Sequence, residues 1–305
     1  MLSTRTRSEE LARFAQRASF GEETLLRRDA SWPRITIVTP TLNQAAYLER
    51  TILSVLNQNY PNLEYIILDG GSRDGSDAII EKYSRYLSYW RSQSDGGQAA
   101  ALKEGFDRAT GEILAWINSD DMYFPGVLRQ IGDMMRSHPE TDISYGNMDL
   151  LDACGEVVAE RRLADCSRRI INVGIRYGGL GFYQPAAFWK KTLYDRVGGI
   201  DPSLCFDMDN DLFIRFALSG ACFTFIGRPL VGFRIHEASK TFALQDPRKS
   251  EIPLLLSRYG LDQASIKSGC LKSIVRGYRV WKHIVQGDGG YLFRRLLSTR
   301  WDWVA

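Results

Sequence analysis

Short β-branched runs alternate with segments of helical periodicity through the first half of this 305-residue chain, and that alternation leaves few folds open. Residues 34–41 (RITIVTPT) read as a buried parallel strand, because the run is apolar or β-branched almost throughout. Residues 47–58 set Leu48, Ile52, Val55 and Leu56 at helical spacing, and residues 63–69 (LEYIILD) give a second strand. The pattern then predicts a helix over 76–86, a strand over 87–93, a helix over 98–109, a strand over 112–118 and a helix over 126–137. Strands separated by helices of this length imply βαβ units, so the expected class is α/β, with a Rossmann-like, mostly parallel sheet flanked by helices. The second half is less regular. It predicts a hairpin over 142–162 turning at Ala153-Cys154-Gly155, a strand over 185–189, a helix over 209–219 ended by Gly220, and one or two strands over 222–235.

In open parallel sheets, ligands bind beyond the carboxyl ends of the strands. Three such ends carry acidic or turn-forming residues: Thr39-Pro40-Thr41-Leu42-Asn43, Asp69-Gly70-Gly71-Ser72-Arg73-Asp74-Gly75, and Asn118-Ser119-Asp120-Asp121. Adjacent aspartates are costly without a positive neighbour. Mg²⁺ or Mn²⁺ meets that need, taking one or two carboxylates and completing its shell with phosphate oxygens and water. On the residues alone, Asp120 serves equally well as a cap of the following turn, and Asp69-Gly70-Gly71 as a turn without a ligand. Neither G-x-x-x-x-G-K-[ST] nor a G-x-G-x-x-G after the first strand occurs, which argues against a P-loop NTPase or a dinucleotide-binding dehydrogenase.

With 44% hydrophobic and 25% charged residues, the chain is neither disordered nor fibrous. Five cysteines with no Cys-x-x-Cys pair argue against a disulfide framework or zinc cluster and for a reducing compartment. No run resembles a signal peptide, and none approaches the roughly 18 apolar residues of a membrane span. The expected location is cytoplasmic, with peripheral attachment to the inner face of a membrane as an extension of it.

Six segments carry a resemblance. They are PTLNQAAYLERTILSVLNQNYPNLEYIILDGGSRDGS at 40–76, SDGGQAAALKEGFDRATGEILAWINSDDMY at 94–123, QPAAFWKK at 184–191, VGGIDPSL at 197–204, MDNDLFIRFALSG at 208–220 and FRIHEASKT at 233–241. In this order and spacing they resemble the family 2 glycosyltransferases of the GT-A fold. The resemblance implies an inverting enzyme of the bacterial cell-surface polysaccharide type. Its donor would be a UDP-, GDP- or dTDP-sugar, its acceptor a hydroxyl of a glycan or lipid-linked molecule, and its cofactor Mg²⁺ or Mn²⁺. The resemblance runs from about Arg34 to about Thr241, and the expected organisation is a helical or linker segment over 1–33, a catalytic domain over 34–245 (nucleotide-binding half 34–121, acceptor half 122–245) and a helical basic appendage over 246–305.

The resemblance implies roles residue by residue. Thr39, Pro40 and Asn43 would border the nucleotide, with Asp95 in the same donor set, and Asp69 would accept a hydrogen bond from the base. Asp120 would face the ribose or donor sugar, and Asp121 would hold the metal. Asp209 matches the catalytic base, supported by Asp211 and Arg215. Arg234 and His236 resemble an Arg-x-His element near the diphosphate, with His236 as a further metal ligand. Tyr183 and Gln184 are candidates for the acceptor side. The chain departs from the family where Met208 replaces the first acid of a Glu-Asp pair, and where Ala100 and Lys103 replace a frequent Asp and Asn. Spacing alone also allows Asp209 as a helix N-cap, His236 as a structural residue, and Trp189 as core. Two rival functions share such a sheet. A sugar nucleotidyltransferase needs a glycine- and arginine-rich loop after the first strand, which PTLNQAAY is not. A non-catalytic glycan- or nucleotide-binding module would be expected to lack Asp121 or Asp209.

The tail is set apart by charge. Residues 261–305 hold eight Lys and Arg against three Asp, a net of +5 in a chain of net +3. Leu271, Ile274, Tyr278, Trp281 and Val285 form one helical stripe, while Lys272, Arg276, Arg279 and His283 lie opposite. Such a helix either packs its apolar stripe on the domain or lies in a membrane interface through residues 271–303. His138 and His283 are expected at the surface. With positive charge confined to the tail, no nucleic-acid partner is expected.

Overall fold

The computed structural model describes residues 3–165, 182–237, 239, 251, 253–255, 257–260 and 269–297. Two N-terminal helices, α1 (Thr4–Gln16) and α2 (Glu22–Arg27), precede the regular alternation. It runs β1 (Ile35–Thr41), α3 (Ala45–Leu56), β2 (Leu63–Asp69), α4 (Ser76–Tyr83), β3 (Tyr89–Ser92), α5 (Gln98–Arg108) and β4 (Ile113–Trp116). Then come β5 (Met122–Tyr123), α6 (Val127–Ser137), the hairpin β6 (Ile143–Leu151) and β7 (Val157–Arg161), β8 (Ala187–Lys190), α7 (Lys191–Arg196), α8 (Met208–Leu218) and β9 (Phe223–Arg234). Helices α9 (Gly269–Val285) and α10 (Gly289–Leu297) close the described chain.

The strands form one sheet in the order β3-β2-β1-β4-β8-β6-β9-β5, with β7 on β6. The β3-β2-β1-β4 half is wholly parallel. Beyond it β8 runs antiparallel to both β4 and β6, and parallel pairing returns between β6 and β9. Residues 222–235 therefore give a single long strand.

Alternation along the strands divides the core between two faces. Ile35 and Ile37 join the cluster beneath α1, α3, α4 and α6, while Val38 joins the one beneath α5, α7 and α8. Glycine permits the closest approach of helix to sheet: a Cβ on Gly105 of α5 would lie 2.6 Å from Val38 Cγ1. Trp189 is fully buried beside Trp116, Phe106 and Phe213, the core alternative for that residue.

The N-terminal helix is part of this packing. Leu11 and Ala15 are fully buried, and Arg7 donates to Asp149 at 2.6 Å and also pairs with Glu160. Burial raises the Asp149 carboxyl to about 6 against the pull of Arg7. At the other end His283 is buried, with Nδ1 3.4 Å from Asp288 Oδ2, which corrects the surface expectation. His138 is exposed as expected. No helix among the described residues is long and apolar enough to cross a membrane.

Candidate active site

The carboxyl ends of β1, β2, β3 and β4 lie side by side because these strands are parallel neighbours, so their loops meet at one sheet edge. At the end of β2, Asp69 is fully buried. Its carboxylate accepts the Gly71 N–H at 3.2 Å, the Ser72 N–H at 2.9 Å and the Ser92 hydroxyl at 2.6 Å, with the Ser72 hydroxyl as a fourth donor. Gly71 permits this loop, since its φ is +85° and a Cβ there would come within 2.9 Å of the Ser94 nitrogen. The β1 end is tied to the same loop. The Asn43 N–H donates to Ser72 Oγ at 2.7 Å, and Asn43 Oδ1 accepts the Arg73 N–H at 2.9 Å. Asn43 itself is left-handed at φ +52°, a conformation asparagine tolerates better than most residues. Pro40 is buried in β1. Thr39 faces the interior, its hydroxyl 3.1 Å from the Tyr65 hydroxyl.

Arg91, which sequence reasoning missed, joins the β2 and β3 ends. It donates to the Asp69 carbonyl at 2.8 Å, to Glu104 at 2.8 Å and to Asp95 at 3.1 Å. Asp95 also accepts the Gly97 N–H at 2.8 Å and so shapes the turn into α5. From that turn Gln98 reaches across to Asn118 Oδ1 at 2.9 Å, linking this loop to the end of β4.

There Asp121 is fully buried. Its carboxylate accepts the Arg234 N–H at 2.9 Å and the Asn118 amide at 3.4 Å. Burial first, then the Asp120 carboxylate beside it, push the Asp121 carboxyl well above the usual carboxylate range. His236 comes in from beyond β9 and sets Nε2 3.0 Å from Asp120 Oδ2, with its ring 4.6 Å from Tyr47. The structure thus pairs His236 with Asp120, whereas the sequence reading grouped it with Asp121. Among the described residues, no three His, Cys, Asp or Glu side chains are grouped as a self-sufficient metal cage. Asp120 and Asp121 offer a partial set of hard oxygen donors, with the borderline imidazole of His236 beside Asp120. That suits a cation drawing its remaining ligands from phosphate and water.

Arg234 is buried, and its guanidinium donates to the carbonyls of Asp120 and Ala153 at 2.9 Å and of Asp152 at 3.2 Å. Its plane also covers the Tyr47 ring at 4.8 Å. In this arrangement it braces the Asp120 loop against the β6–β7 turn. The sequence reading had placed it beside the diphosphate.

Asp209 sits in the first turn of α8, half-buried, with Oδ1 accepting the Asn210 N–H at 2.8 Å. The N-cap is Asp207, so the capping alternative for Asp209 falls away. Asp211, read as a supporting residue, is fully buried and ion-paired to Arg215, with the Tyr259 hydroxyl donating at 2.6 Å and Arg258 at 3.2 Å. Phe213, one turn beyond Asp209 on the same helical face, lies parallel to Trp116 at 6.3 Å, which seats α8 over the end of β4. Glu251, another residue sequence reasoning missed, accepts the consecutive N–H groups of Cys205, Phe206 and Asp207 at 2.7, 2.8 and 2.8 Å. It thereby holds the loop that leads into α8. Gln184 is buried, with its amide on the Trp116 carbonyl at 2.8 Å, and Tyr183 beside it is half-buried between the two core clusters.

The family model for glycosyl transferase family 2 matches residues 36–194. An uncharacterized glycosyltransferase of Rickettsia typhi is 27% identical over 217 residues, covering 68% of this chain and 66% of the relative. One from Mycobacterium tuberculosis is 28% identical over 191 residues, covering 62% of this chain and 70% of the relative. A match to a longer protein of Rickettsia bellii spans only 18% of that relative. By fold, the chain is similar to residues 1–349 of Staphylococcus aureus TarS, crystallised with UDP-GlcNAc, at a TM-score of 0.57 and 17% identity over 79% of this chain and 78% of that one. The same TarS segment with UDP gives a TM-score of 0.56. With more than half of its length matched by the family model and the strand-end loops assembled on one sheet edge, the chain belongs to glycosyl transferase family 2.

Proposed function

We propose that this chain is an inverting glycosyltransferase that moves a sugar from a nucleoside-diphosphate sugar to a hydroxyl of a glycan or lipid-linked acceptor. The observation that carries the reading is the fully buried Asp121 beside the half-buried Asp120, with His236 Nε2 3.0 Å from Asp120. Two carboxylates beside one imidazole are an environment built for an added positive charge. The TarS complexes with UDP and UDP-GlcNAc support a donor of this class. Mg²⁺ or Mn²⁺ held by Asp121, with Asp120 and His236 beside it, supplies a Lewis acid for the charge that grows on the leaving diphosphate.

The remaining roles belong to the chain itself. The Asn43, Asp69 and Asp95 loops, with Thr39 and Pro40 behind them, wall the nucleotide side. Asp209 accepts the proton of the attacking hydroxyl. It lies in the first turn of α8, half-buried. A single base opposite the leaving group gives direct displacement with inversion, and such a base contributes about 10²–10⁴-fold. Tyr183 borders the acceptor side, with Gln184 anchoring its turn to β4.

A panel of nucleotide sugars with Mg²⁺ or Mn²⁺, scored by release of nucleoside diphosphate, tests the reading. Release from none of them, with acceptors of several classes supplied, would overturn it. Asp209→Asn is expected to bind donor as the parent does and to lose turnover by about 10²–10⁴-fold. Transfer at the parental rate by that variant would remove Asp209 as the base.

A further inference from the structure

Helices α9 and α10 are docked through an unusual face. Lys282 donates to Asp165 at 3.0 Å, the Asp165 N–H donates to Gln286 at 3.1 Å, and Asp288 takes Arg162. His283 is buried near Tyr291, with ring centroids 5.5 Å apart, and Tyr278 touches the core cluster that includes α8. The inward face is therefore mainly polar and aromatic. A surface helix ordinarily turns its apolar stripe to the core and its polar side to water.

Here the reverse holds. Trp281, Ile284 and Val285 are 54%, 60% and 63% exposed, with Val280 and Phe293 also exposed. Trp281 stands three and four residues from Ile284 and Val285, so the three share one face. Among the described residues, five of the ten exposed large hydrophobic side chains fall in this short stretch, and the other five are scattered singly. Arg276 is exposed on α9, and the tail from 261 onward has a net charge of +5 against −2 for the rest of the chain.

We propose that the α9–α10 face lies on the surface of an anionic lipid bilayer. Exposed aromatic and aliphatic side chains enter the interface while basic residues meet acidic headgroups. Charge selects this occupant. A second copy of the chain would bring one basic tail against another, and zwitterionic lipid would leave the cations without partners. The attachment is interfacial, since no described helix is long and apolar enough to cross a bilayer. The inference is independent of the transfer reaction, because its test reads binding alone.

The test is co-sedimentation of the full chain with phosphatidylcholine vesicles, with and without phosphatidylglycerol, at low and high salt. Binding is expected only to vesicles with phosphatidylglycerol, weakening as salt rises. The variant Trp281→Ser/Ile284→Ser removes two exposed side chains, of which Trp281 also lies 5.7 Å from the Tyr278 ring, so its fold is checked beside its binding. It is expected to keep the parental circular dichroism and thermal midpoint and to lose binding by at least tenfold. Equal binding to neutral vesicles, no binding to either, or undiminished binding by the double variant overturns the proposal. So does a concentration-dependent dimer, seen by sedimentation, that the double variant abolishes, because the face would then be a subunit interface.

Discussion

Two strand ends of this molecule each bury an aspartate, and they treat the charge in opposite ways. At the end of β2, Asp69 is surrounded by two peptide N–H groups and two serine hydroxyls from its own neighbourhood. At the end of β4, Asp121 has one peptide N–H, a distant amide and a second carboxylate beside it. Both are fully buried. A carboxylate saturated by hydrogen bonds is a scaffold for its loop. One left beside another carboxylate, with the Arg234 guanidinium as its nearby internal cation, is disfavoured in its charged form and would be stabilised by a bound cation. The contrast separates residues that shape the cleft from residues that wait for a ligand, although the two look alike in sequence.

The largest effect expected from this contrast is at Asp121. Asp121→Asn should lower turnover by about 10²–10³-fold, the usual loss when one preorganised electrostatic group is removed. Calorimetry should show metal-dependent donor binding gone. The same variant should unfold at the parental temperature or above it, because a buried charge has been removed. A fall in metal-free stability would collapse the distinction from Asp69.

A third buried acid, Asp149, lies between the two cases, having an internal cation in Arg7 yet a carboxyl raised to about 6. The folded protein holds this proton more tightly than the unfolded chain. The group therefore costs stability above pH 6, and that cost fades as pH falls from 6 towards 4. Urea titrations of the parent and of Asp149→Asn should differ by an amount that changes over this window on the order of 2–3 kcal/mol. A constant difference across it would show the Arg7 pair to be fully charged throughout.

Asp69→Asn should reduce unfolding free energy by about 1–3 kcal/mol, because an amide cannot accept from all the donors the carboxylate serves. Its effect on metal affinity should be small, the mirror image of Asp121→Asn. The smallest change is expected at Glu251. Gln in its place puts an NH₂ group against peptide N–H groups, loosening the entry to α8 by about 1 kcal/mol. The readout is a several-fold fall in kcat with unchanged donor affinity. A shift in donor affinity instead would place Glu251 on the nucleotide side.

The legible parts of the site were those encoded over a few residues. The largely apolar run at 63–69 ends at Asp69 just as β2 does, and the Ser-Asp-Asp turn follows the end of β4. Residues whose meaning depends on a distant partner were read incompletely or missed. Arg234 was read as lying near the diphosphate, and the sequence held no sign that it also donates to the carbonyls of 120, 152 and 153. Nothing around Glu251 in sequence announces that it captures three N–H groups of another loop. In the tail, periodicity defined two helical faces but could not say which one would be covered. The structure buries His283 and exposes Trp281.

Sequence by itself determined the order of strands and helices and the placement of acids at strand ends. Backbone sterics and side-chain periodicity act within about a dozen residues. Tertiary structure alone decided what each acid meets: His236 reaches Asp120 across 116 positions, and Arg234 reaches Asp121 across 113. A carboxylate's charge state and task follow from the dipoles and ions within a few ångströms of it. Only the folded chain brings those together.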